Sequence, residues 1–325
     1  MAEAEALAEW QRDKAIYAAW GDLLTSQIID ALKSQIHEPI DQFLKIPPKP
    51  RVKLEESLRV KIQRKIRDGK PIDTIDDRVG VRFVVLLTEQ IKQVEAAIAR
   101  LGHTFTKDRD YESERNARPL EFAYQSVHLV VRPTEPLQCG EIMIPKGLAC
   151  EVQIRTLLQH AHSELTHDRL YKARSLPPHS LNRSVARSMA LIEATDNIFS
   201  EVSEELEVTE SELRQLVEHL DQLYEELFNE PPIEPRYSAH IVGDLLQCGV
   251  VDSKQKVTAL FKEEKTYLVE RIRERRDAGD VLAKTSAVLM AYLCVVESSD
   301  ITAAYWPASG QELTDIGVDL GMSLS

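Results

Sequence analysis

The sequence predicts an α/β (α+β) fold over residues 1–200, followed by an all-helical C-terminal region. Short β-branched runs alternate with segments whose apolar residues recur every three or four positions, the pattern of a sheet flanked by helices. After Pro177 and Pro178 the pattern becomes almost wholly helical. We therefore divide the chain into residues 1–200, a long acidic helix at 201–230 and a helical region of unknown role at 236–325.

Apolar spacing and breaker residues predict the elements of the first region in order. Residues 5–45 are expected to be helical because Trp20, Leu24 and Ile28 recur at helical spacing, and the prolines of residues 46–50 end that segment. The elements that follow are a helix at 53–68, a strand at 79–87, a helix at 90–101, a loop at 103–121, strands at 123–132 and 148–154, and a helix from 156 to about 173. The loop is assigned because its residues are charged and show no regular spacing.

A leucine repeat marks the long acidic helix. Leucines recur every seven residues at Leu206, Leu213, Leu220 and Leu227, with Leu216 and Leu223 between them. This spacing is found in coiled coils and in a single helix that docks one face on its own domain. We favour the docked helix, and a homo-oligomer or a regulatory partner bound through the C-terminal helices stays an alternative.

The charge of the chain is distributed unevenly. The net charge is -13, and residues 201–230 carry eleven acidic side chains and one basic one. Residues 51–70 reverse the balance, with eight basic and three acidic side chains. Because electrostatic attraction acts locally, this basic segment is suited to bind phosphate groups in an acidic protein.

Targeting signals and cysteine pairs are not evident in the sequence. The acidic N-terminus lacks the basic start and apolar centre of a signal peptide, and no run of 18 apolar residues is present, so we expect a cytoplasmic protein that does not bind a membrane. The four widely spaced cysteines form no CxxC pair, so we expect reduced, mostly buried thiols.

The segment CEVQIRT, residues 150–156, carries polar residues on one face of an otherwise apolar strand. Because side chains alternate along a strand, Glu151, Gln153 and Arg155 point to one side. A solvated edge of an antiparallel sheet gives the same pattern. A face that handles phosphate or metal is the other explanation.

Two further predicted strands have the same design, which favours the second explanation. In AYQSVHLVV, residues Tyr124, Ser126 and His128 share one face. In DDRVGVRFVVLL, Asp77 and Arg82 flank a glycine at the start of a β-branched run. Carboxylates, arginines, an aromatic ring and a histidine on three strands together predict a nucleotide site.

Two other kinds of site are disfavoured. His160 and His162 point about 200° apart on a helix, so they do not form a metal site with His167. The glycine-rich phosphate loop of P-loop enzymes is absent from the sequence.

Five sequence blocks in order make residues 40–200 resemble the synthetase domain of the RelA/SpoT family. The blocks are RVKLEESLRVKIQRK (51–65), DDRVGVRF (76–83), AYQSVHLVV (123–131), CEVQIRT (150–156) and ELTHDRLYK (164–172). The resemblance implies a mixed five-stranded, nucleotidyltransferase-like sheet flanked by helices. It also implies an enzyme that transfers the β,γ-pyrophosphate of ATP to the 3′-hydroxyl of GDP or GTP, which makes guanosine tetra- and pentaphosphate.

The resemblance implies catalytic and donor-binding roles for residues of these blocks. Asp77 and Glu151 match the pair of carboxylates that holds Mg²⁺, a cation that prefers oxygen ligands, and Glu151 also helps to deprotonate the attacking hydroxyl. The residues that match the ATP site are Arg51 and Arg82 around the adenine, and Lys53, Ser57, Lys61 and Arg64 near the phosphates.

The resemblance also implies an acceptor site. Tyr124 matches the tyrosine that stacks on guanine, and His128, Gln153 and Arg155 line the floor of that site. In the charged segment that precedes Tyr124, the basic residues Lys107, Arg109, Arg115 and Arg118 are available for the acceptor phosphates. Glu164 and His167 lie beside the site on one helical face.

Ordinary structural roles are open for several of these residues. Asp77 could instead cap a turn, as aspartate often does. The basic residues of 51–65 could form a solvated helix face, and Tyr124 could be a half-exposed strand residue.

The chain departs from the family pattern at the acceptor side, which leaves the acceptor open. Ala123 replaces a glycine, His162 replaces a tryptophan, and residues 106–121 lack an Asn-Pro-Lys-type stretch. One alternative is a toxin-like relative that pyrophosphorylates the 3′ end of tRNA or adenosine nucleotides. Another is a non-catalytic nucleotide sensor whose helical C-terminus binds partners.

Overall fold

The computed structural model of the chain consists of two compact units, Met1–Val202 and Ser203–Ser325. It describes residues 2–72, 74–117, 122, 126–166, 179–233, 235–308 and 310–322. Each unit has its own hydrophobic core. The predicted roles of Tyr124, Arg118 and His167 fall outside the described residues, as does the side chain of Arg115.

The first unit combines strands and helices. In chain order these are α1 (Ala2–Lys33), α2 (Ile40–Phe43), β1 (Arg51–Val52), α3 (Glu55–Arg67), β2 (Val79–Val85), α4 (Thr88–Ala99), β3 (Thr104–Arg109), α5 (Tyr111–Ala117), β4 (Val127–Arg132), β5 (Leu137–Cys139), β6 (Ile142–Ile144), β7 (Cys150–Thr156) and α6 (Leu157–Thr166). The helix α7 (His179–Phe228) begins here, and the boundary between the two units falls within it.

Five of these strands form one mixed sheet, which confirms the predicted fold class. Their order is β1-β2-β7-β4-β3, and only the β2–β7 pair is parallel. The parallel register places Gly80 opposite Glu151 and Arg82 opposite Gln153. On the other side of β7, His128 lies opposite Gln153. Three predicted polar rows are thereby brought to the same part of the sheet.

Helix α1 covers the sheet at close range. Trp20, Leu24 and Ile28 are fully buried in the core, as their helical spacing predicts. At Gly21 a side chain has no room, because an added Cβ would lie 2.8 Å from Pro50 Cβ and 2.9 Å from Val79 Cγ2. A glycine at this position lets α1 approach the first strands of the sheet.

The prediction of a loop at 103–121 is wrong. This segment contains β3, which pairs with β4 at the edge of the sheet, and the short helix α5. Five of the six residues of β3 are exposed. An exposed edge strand needs no apolar alternation, so its charged sequence gave no strand signal.

The helices predicted over residues 5–45 are observed as α1, which ends at Lys33, and the short α2. The connection between β4 and β7 contains the two-stranded β5–β6 hairpin. The predicted helix from residue 156 is observed as α6, and residues 167–178 lie outside the described residues.

The second unit is helical, as the sequence predicts. After α7 it contains α8 (Pro235–Leu245), α9 (Ser253–Ala259), α10 (Leu268–Ala278), α11 (Ala287–Ala304) and α12 (Gly310–Leu320), with 3₁₀ turns at Leu246–Cys248 and Leu282–Lys284 and a π turn at Leu260–Glu264. Within this unit the leucine repeat of α7 packs into the core at Leu220, whereas Leu206 is exposed. The four cysteines of the chain are free thiols, and three of them are buried.

Helix α11 is the central helix of the second unit. Among the described residues it is the one helix that is long and apolar enough, by length and composition, to cross a membrane. Every residue from Ala287 to Val295 is buried in the core of the unit. Burial in this core explains why the stretch is apolar. The sequence alone predicted no transmembrane helix here.

Replacing Gly21 by alanine is expected to destabilise the first unit. The added methyl group overpacks the contact with Pro50 and Val79, at a cost of about 1–3 kcal/mol, which exceeds the gain of about 0.5–1 kcal/mol from alanine in a helix. Scanning calorimetry of the purified chain measures the change as a lower unfolding temperature.

The matched control is Gly243→Ala in α8. There an added Cβ meets only Leu213 Cδ2, at an ordinary 3.6 Å, so the substitution is expected to raise the unfolding temperature slightly. A rise for Gly21→Ala as well would contradict the close approach of α1.

Candidate functional site

A cleft of about 840 Å³ opens above the polar rows of the sheet in the first unit. Ten of the predicted site residues line it: Arg51, Lys53, Ser57, Asp77, Arg82, Arg109, His128, Glu151, Gln153 and Arg155. They come from β1, α3, β2, β3, β4, β7 and the connections next to them. The fold therefore gathers most of the residues that the sequence singled out.

The polar row of β7 forms the floor of the cleft. Gln153 Nε2 donates a hydrogen bond to Glu151 Oε2 at 2.8 Å, and Arg155 donates to Gln153 Oε1. From the neighbouring β2, Arg82 Nε donates to the same Gln153 oxygen at 3.2 Å. Gln153 therefore links a carboxylate and two guanidinium groups, and so holds the row in one arrangement.

Glu151 is an ionised carboxylate in a mostly buried position. Burial raises its pKa, but the hydrogen bond and charge of His128 and the hydrogen bond of Gln153 lower it, and the net shift is downward. His128 Nδ1 lies 3.2 Å from Glu151 Oε1. Because the pKa is below its ordinary value, Glu151 carries a negative charge at neutral pH, ready to accept a hydrogen bond or bind a cation.

Asp77 is the second carboxylate of the cleft, and two lysines neutralise it. Lys53 Nζ is ion-paired with Asp77 Oδ2, and Lys61 Nζ lies 2.7 Å from the same oxygen. Burial raises the pKa of Asp77, but the hydrogen bonds and charges of these two lysines together lower it by more, so the net shift is downward. The other oxygen, Asp77 Oδ1, is buried and has no hydrogen-bond partner among the described residues.

Gly80 keeps space open beside the two carboxylates. An added Cβ at this position would lie 3.1 Å from the carbonyl oxygen of Glu151 and 3.8 Å from Glu151 Oε2. The glycine that the sequence places between Asp77 and Arg82 thus allows close approach of backbone and carboxylate.

The two carboxylates fit a hard divalent cation such as Mg²⁺. They line one cleft, the charge of Asp77 acts on the pKa of Glu151, and Asp77 Oδ1 accepts no hydrogen bond from the part of the chain that the structure describes. Mg²⁺ is usually held by one or two carboxylates together with phosphates and water. Among the described residues no group of three or more His, Cys, Asp or Glu is placed so that it could hold a metal ion.

Other predicted residues contact the cleft indirectly or lie outside it. Glu164 on α6 pairs with Arg82, with Oε1 at 2.7 Å from Nη1. Arg64 is 75% exposed, and its nearest acidic group is Asp68 at 3.8 Å. Lys107 pairs with Glu95 at 2.9 Å and with Asp110 at 2.8 Å. Neither Arg64 nor Lys107 lines the cleft.

Sequence reasoning missed one wall of the cleft. Helix α6 contributes His160, Ser163 and Thr166, which recur every three residues on one face. Extending the polar face of Glu164 along the predicted helix would have pointed to this wall. The pKa of His160 is lowered, first by burial and then by Arg155 and Arg82, so its ring is neutral at pH 7. The cleft is also lined by Ile46, Pro47, Lys49 and Leu54, and no polar pattern in the sequence of these residues predicted a site.

A buried contact anchors the end of β7 to helix α7. Thr156 Oγ1 donates a hydrogen bond to Asp196 Oδ2 at 2.9 Å, and Gln159 Oε1 accepts from the backbone N–H of Thr156. Burial raises the pKa of Asp196 to about 6. Because Thr156 directly follows Arg155, this contact helps to fix the strand that forms the cleft floor.

Comparisons with known proteins agree with this architecture. Residues 50–175 match a family model described as "Region found in RelA / SpoT proteins". The chain is similar to the small alarmone synthetase 1 from Bacillus subtilis, with 25% identity and a TM-score of 0.50 over 61% of this chain and 98% of that chain. It shares the fold of the small alarmone synthetase 2 from Bacillus subtilis, with 22% identity and a TM-score of 0.50 over 61% of this chain and 99% of that chain. No curated protein matches the chain.

The raised pKa of Asp196 predicts a pH-dependent stability. Folding raises the pKa of the Asp196 carboxyl from 3.8 to about 6, so the protonated carboxyl favours the folded state. This contribution to the stability of the protein is complete below pH 3.8 and is lost as the pH rises through about 6. The free energy of unfolding of Asp196→Asn minus that of the wild type is therefore expected to be about 2–3 kcal/mol larger at pH 7 than at pH 4.

Urea unfolding of both proteins at pH 4 and pH 7 measures this difference. Asp30→Asn, at an exposed site on α1, controls for the loss of one negative charge. The account fails if Asp196→Asn and the wild type differ by the same amount at both pH values.

Proposed function

From the RelA/SpoT domain that the chain carries at residues 50–175, we propose that this protein is an ATP-dependent pyrophosphokinase. It transfers the β,γ-pyrophosphate of ATP to the 3′-hydroxyl of GDP or GTP. The 3′-oxygen bonds to the β-phosphorus, the bond from that phosphorus to the α,β-bridging oxygen breaks, and AMP leaves. The observation that carries the proposal is the pairing of two carboxylates, Asp77 and Glu151, with lysines and arginines in one cleft. Phosphoryl-group transfer depends mainly on positioning and charge neutralisation, which such a cleft supplies.

The donor nucleotide lies on the basic side of the cleft. Arg51 and Arg82 hold the adenine between their guanidinium planes, which stack well on aromatic rings. Lys53 and Lys61 bind the phosphates, and Ser57, on the same side of α3, adds a hydroxyl donor. Arg64 follows on α3 as a further basic group, supported by resemblance rather than by contact with the cleft.

Glu151 orients the nucleophile. Its ionised carboxylate accepts a hydrogen bond from the 3′-hydroxyl, which holds the oxygen toward the β-phosphate and draws off its proton. His128 and Gln153 fix the two oxygens of Glu151 through the hydrogen bonds described above. Asp77 and Glu151 are the residues that would hold Mg²⁺, which when bound supplies neutralisation of the phosphate charge.

The acceptor nucleotide lies over the floor made by His128, Gln153 and Arg155. Tyr124 stacks on the guanine, and Arg118 and Lys107 supply positive charge for the acceptor phosphates. We favour GDP or GTP as the acceptor because the resembled family makes guanosine tetra- and pentaphosphate, and because the chain is similar to small alarmone synthetase 1. A cytoplasmic location is part of this proposal, and the nucleotide substrates support it.

An acceptor screen tests the proposed reaction. The full chain is incubated with γ-labelled ATP and Mg²⁺, separately with GDP, GTP, GMP, adenosine nucleotides and tRNA. Because the transferred group carries the γ label, each product is identified by the acceptor that becomes labelled. Label on GDP or GTP is the expected result. Label only on tRNA or adenosine nucleotides overturns the choice of acceptor, and no label on any acceptor overturns the proposed activity.

Replacing Glu151 by glutamine is expected to abolish transfer and keep donor binding. The amide retains the size and the hydrogen-bonding reach of the side chain but loses its negative charge, so kcat falls by about 10²–10⁴. The dissociation constant of the donor analogue α,β-methylene-ATP, measured by calorimetry without divalent cation, is expected to change by less than about fivefold, because the direct donor contacts are on other residues.

The matched control is Glu89→Gln on α4. Glu89 Oε2 accepts a hydrogen bond from Ser200 Oγ at 2.8 Å and does not line the cleft, so the kcat of this variant is expected to stay near that of the wild type. Full activity of Glu151→Gln would exclude Glu151 from catalysis.

A further inference from the structure

Two lysines from different elements converge on one oxygen of Asp77. Lys53 follows β1 and Lys61 lies on α3, yet both ammonium groups contact Asp77 Oδ2. The other oxygen, Asp77 Oδ1, is buried, and within the described residues it has no hydrogen-bond partner. The carboxylate that would bind the metal is therefore half occupied by the protein's own cations.

This arrangement opposes the binding of a free divalent cation. A cation at Asp77 would lie within a few ångströms of two positive charges in a partly buried site, where electrostatic repulsion is several times stronger than in water. It would also compete with both ammonium groups for the same carboxylate. The Lys53 and Lys61 side chains are only 21% and 40% exposed, so water screens this repulsion incompletely.

A nucleoside triphosphate reverses the balance. Its phosphate oxygens offer the two ammonium groups several negative charges at once, and lysine has a flexible stem that lets its head group move. When the lysines turn to the phosphates, Asp77 is left with negative charge and no counter-ion. The same event brings in the anionic oxygens that complete the ligand set of a hard cation.

We propose that Lys53 and Lys61 act as counter-ions that close Asp77 to free divalent metal until the triphosphate of the donor binds them. Metal and donor nucleotide then bind as a linked pair, each raising the affinity for the other. The inference rests on the proposed function, since it assigns these lysines to the donor phosphates. It adds a role for them before the donor arrives, as positioning residues that act through Asp77.

Metal affinity in the absence of nucleotide tests the proposal. Mn²⁺ replaces Mg²⁺ because free Mn²⁺ is measured directly by electron paramagnetic resonance with the full chain. Lys61→Met removes one counter-ion from a side chain that is partly exposed, so the fold is expected to tolerate it. Its affinity for Mn²⁺ alone is expected to rise about tenfold or more over the wild type. Lys53→Met is the second variant and is expected to show the same direction.

Two controls locate the effect at Asp77. Lys65 lies one turn further along α3 and its Nζ contacts Thr74 Oγ1 at 2.6 Å, so Lys65→Met removes the same charge without touching Asp77. Its Mn²⁺ affinity is expected to stay within about twofold of the wild type. Adding Asp77→Asn to Lys61→Met is expected to remove the gain, because the carboxylate that binds the metal is lost.

The possible results separate this inference from the proposed function. Unchanged Mn²⁺ affinity in Lys61→Met and Lys53→Met, or an equal gain in Lys65→Met, overturns the inference even if the enzyme transfers pyrophosphate normally. A gain in Lys61→Met that depends on Asp77 supports it, whatever the acceptor screen gives. A chain that shows this gain but labels no acceptor would retain the linked metal site and lose the proposed activity.

Discussion

The parallel pairing of β2 with β7 is the constraint on which the candidate site depends. It sets Gly80 opposite Glu151 and Arg82 opposite Gln153, so residues far apart in sequence share one face. The opposite faces of both strands are buried, which leaves one register that satisfies the core. A slip of one residue would turn the row of Glu151 into the core and break every contact of the cleft floor.

Opposite charges inside the cleft explain how two carboxylates stay ionised in a partly buried place. Burial alone raises the pKa of both Asp77 and Glu151, yet both values are lowered overall. Lys53 and Lys61 outweigh burial at Asp77, and His128 with Gln153 does so at Glu151. The net charge of -13 therefore says little about the site, because the local partners decide the charge state.

Much of the fold and of the site could be predicted from particular sequence features. Strand alternation placed Glu151, Gln153 and Arg155 on one face, and the structure lines the cleft with all three. The five blocks that resemble the RelA/SpoT synthetase domain agree with the family match at residues 50–175. Long, strongly apolar elements such as β2 and α4 were predicted close to their observed bounds, because burial of one or both faces requires apolar residues at a regular spacing in the sequence.

The features that sequence reasoning missed depend on exposure or on tertiary contact. Strand β3 is exposed at the sheet edge, so its charged sequence resembles a loop. Lys61 and Arg64 look equivalent as basic residues of one helix, but only Lys61 reaches Asp77. The wall made by His160 on α6 becomes a site residue only when that helix packs beside β7. Apart from the polar face of α6 that includes Glu164, no local pattern carries such information, since each case is decided by a neighbour distant in sequence.

A crystal structure with α,β-methylene-ATP and Mn²⁺ tests the central claim most directly, because the anomalous signal of manganese locates the metal. The account predicts a manganese peak within bonding distance of Asp77 and Glu151, with Lys53 and Lys61 moved from Asp77 to the phosphates. It also predicts the adenine between Arg51 and Arg82. A nucleotide bound outside the cleft, or a manganese ion that contacts neither carboxylate, would contradict the assignment of this site.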